Sequence, residues 1–158
     1  MNCLGLDLSS KAIDLVLLDE NADLAEWTRI ELQGPTAFER ARDVSEKMPQ
    51  PGWYEANEVY LVAIERPFVS HGQDVIRLVQ GVVLAEIPRD LEVWEVTPSQ
   101  WKKALGIPIR EKPTADSFPG VVLPGLPWAV DGYDALGVAA YARDTNAEAV
   151  ARALGEVA

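Results

Sequence analysis

The sequence predicts a mixed α/β fold, a five-stranded sheet flanked by helices, and three observations carry that expectation. The first 32 residues read as short strands joined by tight turns. Two apolar runs of strand length, EVYLVAIE and LEVWEV, follow with an amphipathic stretch between them. The chain then closes on a long segment of helical patterning. Antiparallel strands followed by alternating helices and strands suit a mixed sheet, because a parallel return to the first strand needs a helical crossover.

Residues 2–8 (NCLGLDL) and 12–18 (AIDLVLL) are expected to form a hairpin across Ser9, Ser10 and Lys11. DENAD makes the next turn, and residues 24–32 (LAEWTRIEL) alternate apolar with polar as a half-exposed third strand. Thr36, with Glu39 in capping-box spacing, opens a helix that Pro49 and Pro51 stop, and a linker holding Trp53 follows. Residues 58–65 read as a buried central strand ending in Glu65, and 72–86 as a helix with Val75, Leu78, Val79, Val82 and Val83 on one broad stripe. After the strand at 91–96, Thr97 or Ser99 caps a short helix, SQWKKAL, which Gly106 ends. Five prolines between 107 and 130 exclude a long helix there, and DGYDALGVAAYARD with NAEAVARALGEV makes one or two final helices. This order is that of the ribonuclease H-like architecture, which actin-like ATPase domains share.

With 158 residues, 48% of them hydrophobic, and no internal repeat or compositional break, residues 1–158 are expected to form one domain. No apolar run approaches the roughly 18 residues of a membrane helix, so no membrane partner is expected. The first residues lack the positive and apolar regions of a secretory signal, and Cys3 is the only cysteine, which excludes an intrachain disulfide and fits a reducing cytoplasm. The net charge of −11 opposes non-specific phosphate binding, unless basic residues gather on one face or metal ions cancel some carboxylates.

Four carboxylates meet the second condition. Asp7 lies opposite Leu4 and Leu6 in its strand, and Glu65 closes an apolar strand that would pair in parallel beside it. Asp131 and Asp134, three apart at a helix start, share one face. Taken singly, each has an ordinary reading as a turn acceptor, a surface ion pair or a helix-terminal charge. Gathered in one cleft they would repel by about 4 kcal/mol per close pair, which divalent cations relieve. Oxygen-only ligands suit Mg2+, with Mn2+ as substitute, and two such ions can drive phosphodiester hydrolysis. The single histidine, His71, argues against a histidine-rich zinc site and is expected on a solvated loop.

The blocks G-L-D at Asp7, I-E-R-P-F at Glu65 and Phe68, Gln80-Gly81, T-P-S-Q-W-K-K from Thr97 to Lys103, E-K at Glu111 and Lys112, and D-G-Y-D-A-L from Asp131 to Leu136 resemble the RuvC family of Holliday junction resolvases, from residue 3 to about 142. The resemblance implies a ribonuclease H-like fold and a homodimer that nicks four-way DNA junctions in pairs with Mg2+, two ions to a site. It assigns the acidic tetrad to Asp7, Glu65, Asp131 and Asp134, the stacking aromatic to Phe68, DNA-contacting lysines to Lys102 and Lys112, and a dimerisation helix to about 74–86, where Val79 and Val82 are the expected contacts. Lys103 and Arg110 complete a basic segment with Lys102 and Lys112, and Trp101 among them reads as core. Where the family has Pro-Gly-Ser after its first Asp, Leu8, Ser9 and Ser10 stand here, and the proline-rich segment replaces part of a family helix. A compact member of this kind resembles those carried by bacteriophages. Two other readings remain open from the residues: a broader nuclease of forks and flaps, and an actin-like nucleotide-binding module, for which Gly120, Gly125, Gly132 and Gly137 stand too far apart to make a phosphate loop.

Overall fold

A computed structural model describes residues 1–21, 23–66, 74–119 and 129–154, without the side chains of 129–131. Five strands form one sheet: β1 (Asn2–Leu8), β2 (Ala12–Leu18), β3 (Leu24–Glu31), β4 (Val59–Glu65) and β5 (Glu92–Val96). Their order is β3-β2-β1-β4-β5, with β1, β2 and β3 antiparallel and β4 and β5 parallel to β1. The helices are α1 (Ala37–Lys47), α2 (Pro51–Ala56), α3 (Asp74–Glu86), α4 (Pro98–Ala104) and α5 (Ala129–Ala153), with a 3-10 turn at Ala115–Ser117.

Strand alternation divides the core into two layers. Leu4, Leu6, Leu15, Leu17, Val62 and Ile64 pack against Val44 of α1, Tyr54 of α2, and Val79 and Val83 of α3. On the other face, Cys3, Leu61, Ala63 and Val96 meet Trp101 of α4 and Val138 and Ala142 of α5, while Val16 and Leu18 meet Ala135, Leu136 and Ala139 of α5. Asp7 and Glu65 belong by the same alternation to the α5 face.

Two local features depart from the sequence expectations. The linker around Trp53 is the short helix α2, because Pro51 occupies its first turn, where proline costs no hydrogen bond. The final segment, expected as one or two helices, is one continuous helix of 25 residues. Val79 is fully buried against the chain's own sheet and so cannot be a dimer contact, and the partly buried Val82 also packs on that core. The side of α3 that faces outward carries Leu78 and Leu84. Among the described residues, no helix is long and apolar enough to cross a membrane.

Two glycines let α5 approach. A Cβ at Gly5 of β1 would collide with the carbonyl oxygen of Ala135 and stand 2.7 Å from the Cβ of Ala139. A Cβ at Gly137 would lie 2.5 Å from the Trp101 ring. Because the obstacles at Gly5 are helix backbone, Gly5→Ala is expected to destabilise the fold by about 1–3 kcal/mol, read as a lowered urea midpoint at unchanged slope.

Candidate active site

The site forms where β1 and β4 end and α5 begins. Leu6 pairs with Ile64, which places the next residues, Asp7 and Glu65, side by side on adjacent parallel strands. Glu65 accepts a hydrogen bond from Nε1 of Trp101 at 2.8 Å. Trp101 is itself fully buried, seated in the notch left by Gly137, so the glycine on α5 and the indole on α4 together fix the Glu65 carboxylate. Burial pushes the Glu65 carboxyl up to about 7; the Trp101 hydrogen bond opposes this, and the charge of Asp134 adds to it. That coupling places Asp134 of α5 within electrostatic reach of Glu65. Asp134 is 4% exposed and accepts from Nζ of Lys112 at 2.8 Å.

Asp131 falls within α5 one helical turn before Asp134, but its side chain lies outside the described residues, as do Phe68 and His71. Lys103, Arg110 and Lys112 are exposed. Lys102 departs from its expected place on a DNA-facing surface. It is 7% exposed, stands over the Trp101 ring at 5.3 Å, and donates to the carbonyls of Ile109 and Glu111 at 3.2 and 2.9 Å. Its ammonium therefore braces the loop that delivers Lys112, and the basic surface is carried by Lys103, Arg110 and Lys112.

One acidic residue beside the site was not singled out from the sequence. Asp14 of β2 is the cross-strand partner of Asp7, is 2% exposed, and accepts from Nη1 of Arg29 on β3 at 2.8 Å. Its signal is the interruption of AIDLVLL, an otherwise wholly apolar strand, by an acid that must be paired if buried.

Among the described residues no three acidic, histidine or cysteine side chains are already grouped to hold a metal ion. The donor chemistry nevertheless fits a hard divalent cation. Oxygen is the only donor element, Asp134 raises the Glu65 carboxyl by repulsion, and the cation now in contact with Asp134 is the Lys112 ammonium.

No protein-family model matches the chain, and no curated protein matches it significantly in sequence. Solved structures do match in fold. A Thermus thermophilus RuvC structure aligns at a TM-score of 0.69 and 18% identity, over 94% of this chain and 97% of that one. The structure of T. thermophilus RuvC in complex with Holliday junction substrate aligns at 0.68 and 19% identity, over 88% and 90%. The chain thus has the RuvC fold, a ribonuclease H-like mixed sheet, along nearly its whole length.

Proposed function

We propose that this chain is a structure-specific DNA endonuclease that resolves four-way junctions by metal-dependent phosphodiester hydrolysis, working as a homodimer in the cytoplasm. The observation that carries the reading is the placement of Asp7, Glu65 and Asp134 at one end of the central strands, in the fold of a RuvC whose solved structure holds a Holliday junction substrate.

Asp7, Glu65, Asp131 and Asp134 would hold Mg2+, two ions to a site, with Mn2+ as substitute. Bound there, the ions would supply an activated water and stabilisation of the leaving oxygen. The protein's own groups do the rest. Trp101 orients Glu65 through its indole N–H, which fixes one carboxylate oxygen. Lys112 neutralises Asp134 and brings a cation to the rim, where a scissile phosphate needs one. Lys103 and Arg110 provide phosphate contacts beside it, and Phe68, three residues beyond Glu65, stacks on an unpaired base at the branch point.

Two symmetric cuts need two sites, and the exposed side of α3 supplies the contact. Leu78 is 41% and Leu84 45% exposed, and a Cβ at Gly81 between them would meet nothing within 4 Å. We therefore assign the dimer face to Leu78, Gly81 and Leu84 in place of Val79 and Val82. Leu78→Asp is expected to weaken the dimer by about 30-fold or more, because the substitution leaves a charge in the centre of a desolvated contact. Sedimentation velocity at micromolar concentration reads the result, and an unchanged dimer would remove α3 as the interface.

Labelled four-way, fork, flap and linear duplex DNA, incubated with and without Mg2+, test the function. Paired nicks in the four-way junction only with Mg2+ are expected. Equal cutting of forks and flaps would make the chain a broader branched-DNA nuclease, and no cutting of any substrate would overturn the reading.

A further inference from the structure

The nuclease reading leaves one buried charged pair unused. Strand β2 is apolar at every position but one, and that one is Asp14, 2% exposed and held by Nη1 of Arg29 at 2.8 Å. Register puts the pair beside the site. Asp14 lies opposite Asp7 on β1 and opposite Arg29 on β3, so Asp7, Asp14 and Arg29 make one cross-strand row with about 5 Å between neighbouring Cβ atoms. Val16, two residues along β2 and hence on the same face, packs with Ala135, Leu136 and Ala139 of α5. The row is therefore turned to the layer that carries Asp134.

The sheet does not require such a pair. A buried ion pair contributes little net stability over apolar side chains of the same volume, because desolvating two charges offsets their attraction. Arg29 also has a surface partner, since its Nε donates to the exposed Glu31 at 2.9 Å, so an arginine on this edge strand is served without an acid in the core. What distinguishes Asp14 is its place, one strand from Asp7, with its charge held from the far side by a guanidinium. A fixed charge behind a metal ligand acts on the cation through space, and the nearer charge acts more strongly.

We propose that Asp14 and Arg29 are positioning residues for the divalent cation at Asp7: Asp14 supplies a fixed negative charge behind the ligand that strengthens cation binding, and Arg29 holds that carboxylate on the β3 side, out of the ligand set. This rests on the metal site of the nuclease reading, and it gives the two charges opposite signs. Loss of the Asp14 charge removes an attraction and leaves the guanidinium to repel the cation. Loss of the Arg29 charge removes a repulsion. A pair that served the fold alone would show one sign, because losing either partner breaks the same contact.

The test is Mn2+ binding by the metal-free full chain, read from the electron paramagnetic resonance of the free ion, with urea unfolding in EDTA alongside. Asp14→Asn, which keeps an oxygen for the guanidinium, is expected to weaken Mn2+ binding by about 10-fold. Arg29→Gln is expected to tighten it by about 3-fold while lowering the urea midpoint, because the Asp14 charge stays buried and loses its guanidinium. Arg29→Lys, which keeps the charge, is expected to bind within about 2-fold of the wild type. Asp14→Asn carries the test by itself where Arg29→Gln does not fold. Unchanged Mn2+ affinity in Asp14→Asn would overturn the proposal alone, as would weakening in both variants in step with their urea midpoints. A loss in Asp14→Asn as large as that in Asp7→Asn would make Asp14 a ligand and overturn its place behind one. Absence of Mn2+ binding by the wild type, or wild-type affinity in Asp7→Asn, would overturn the metal site itself.

Discussion

Replacing Asp7 by Asn is expected to abolish junction cleavage, by more than about 100-fold, while the fold and junction binding persist. The substitution keeps the shape and removes one charge. Asp7 stands beside Glu65 on the paired strand and across from Asp14, which Arg29 pairs, and the isosteric amide keeps the side chain's shape and one oxygen acceptor there. If the carboxylate serves to hold a cation, its loss cannot be repaired by an amide oxygen, a weaker ligand without charge. Single-turnover cleavage of a four-way junction in Mg2+, with a gel-shift measurement in EDTA alongside, separates chemistry from binding. Cleavage at the wild-type rate would remove Asp7 from the machinery, and equal loss of binding and melting temperature would make it a structural residue.

The order of strands and helices was legible because each boundary carries its own local chemistry. Thr36 and Glu39 do form the capping box that their spacing predicts, with Glu39 Oε2 accepting from the Thr36 amide at 3.0 Å. Gly106 ends α4 in the left-handed region at φ 70°. What local patterning does not carry is the direction in which an element faces. Helix α3 is apolar on more than one side, so the stripe that holds Val79 and Val82 is correctly read as apolar, yet only the docked sheet decides that Val79 turns inward and Leu78 outward. Pro49 and Pro51 read as breakers, although Pro51 opens α2.

The same limit applies to the site. Asp7 and Glu65 could be placed together from strand alternation alone, and Asp134 from its position at a helix start. Lys102 could not be placed, because a lysine in a basic run reads as solvated until the chain folds back and offers it the carbonyls of Ile109 and Glu111. Nor does spacing link Trp101 to Glu65, 36 residues away, through the cavity that Gly137 leaves for the indole. Those are tertiary facts, and they concern the groups that orient the carboxylates more than the carboxylates themselves.

Glu65 is the residue where stability and function should part most clearly. Its carboxyl is raised from 4.5 to about 7, chiefly by burial, so the folded metal-free protein holds that proton more tightly than the unfolded chain does. Below about pH 4.5 both states are protonated and Glu65 costs nothing; between there and about 7 the unfolded state releases its proton first, and stability falls as pH rises. Above that window the full cost of a buried carboxylate is present. Glu65→Gln removes the titration and keeps an oxygen for the Trp101 N–H, so it is expected to stabilise the metal-free protein by about 1–3 kcal/mol at pH 8, with little difference at pH 4.5. Urea unfolding in EDTA at the two pH values reads this, and parallel curves would show that Glu65 is not desolvated in solution. Adding Mg2+ should then reverse the ranking at pH 8: a cation held by Glu65 stabilises the wild type by mass action, and the variant, short of a charged ligand, gains little. Equal stabilisation of both proteins by Mg2+ would exclude Glu65 from the metal's ligands.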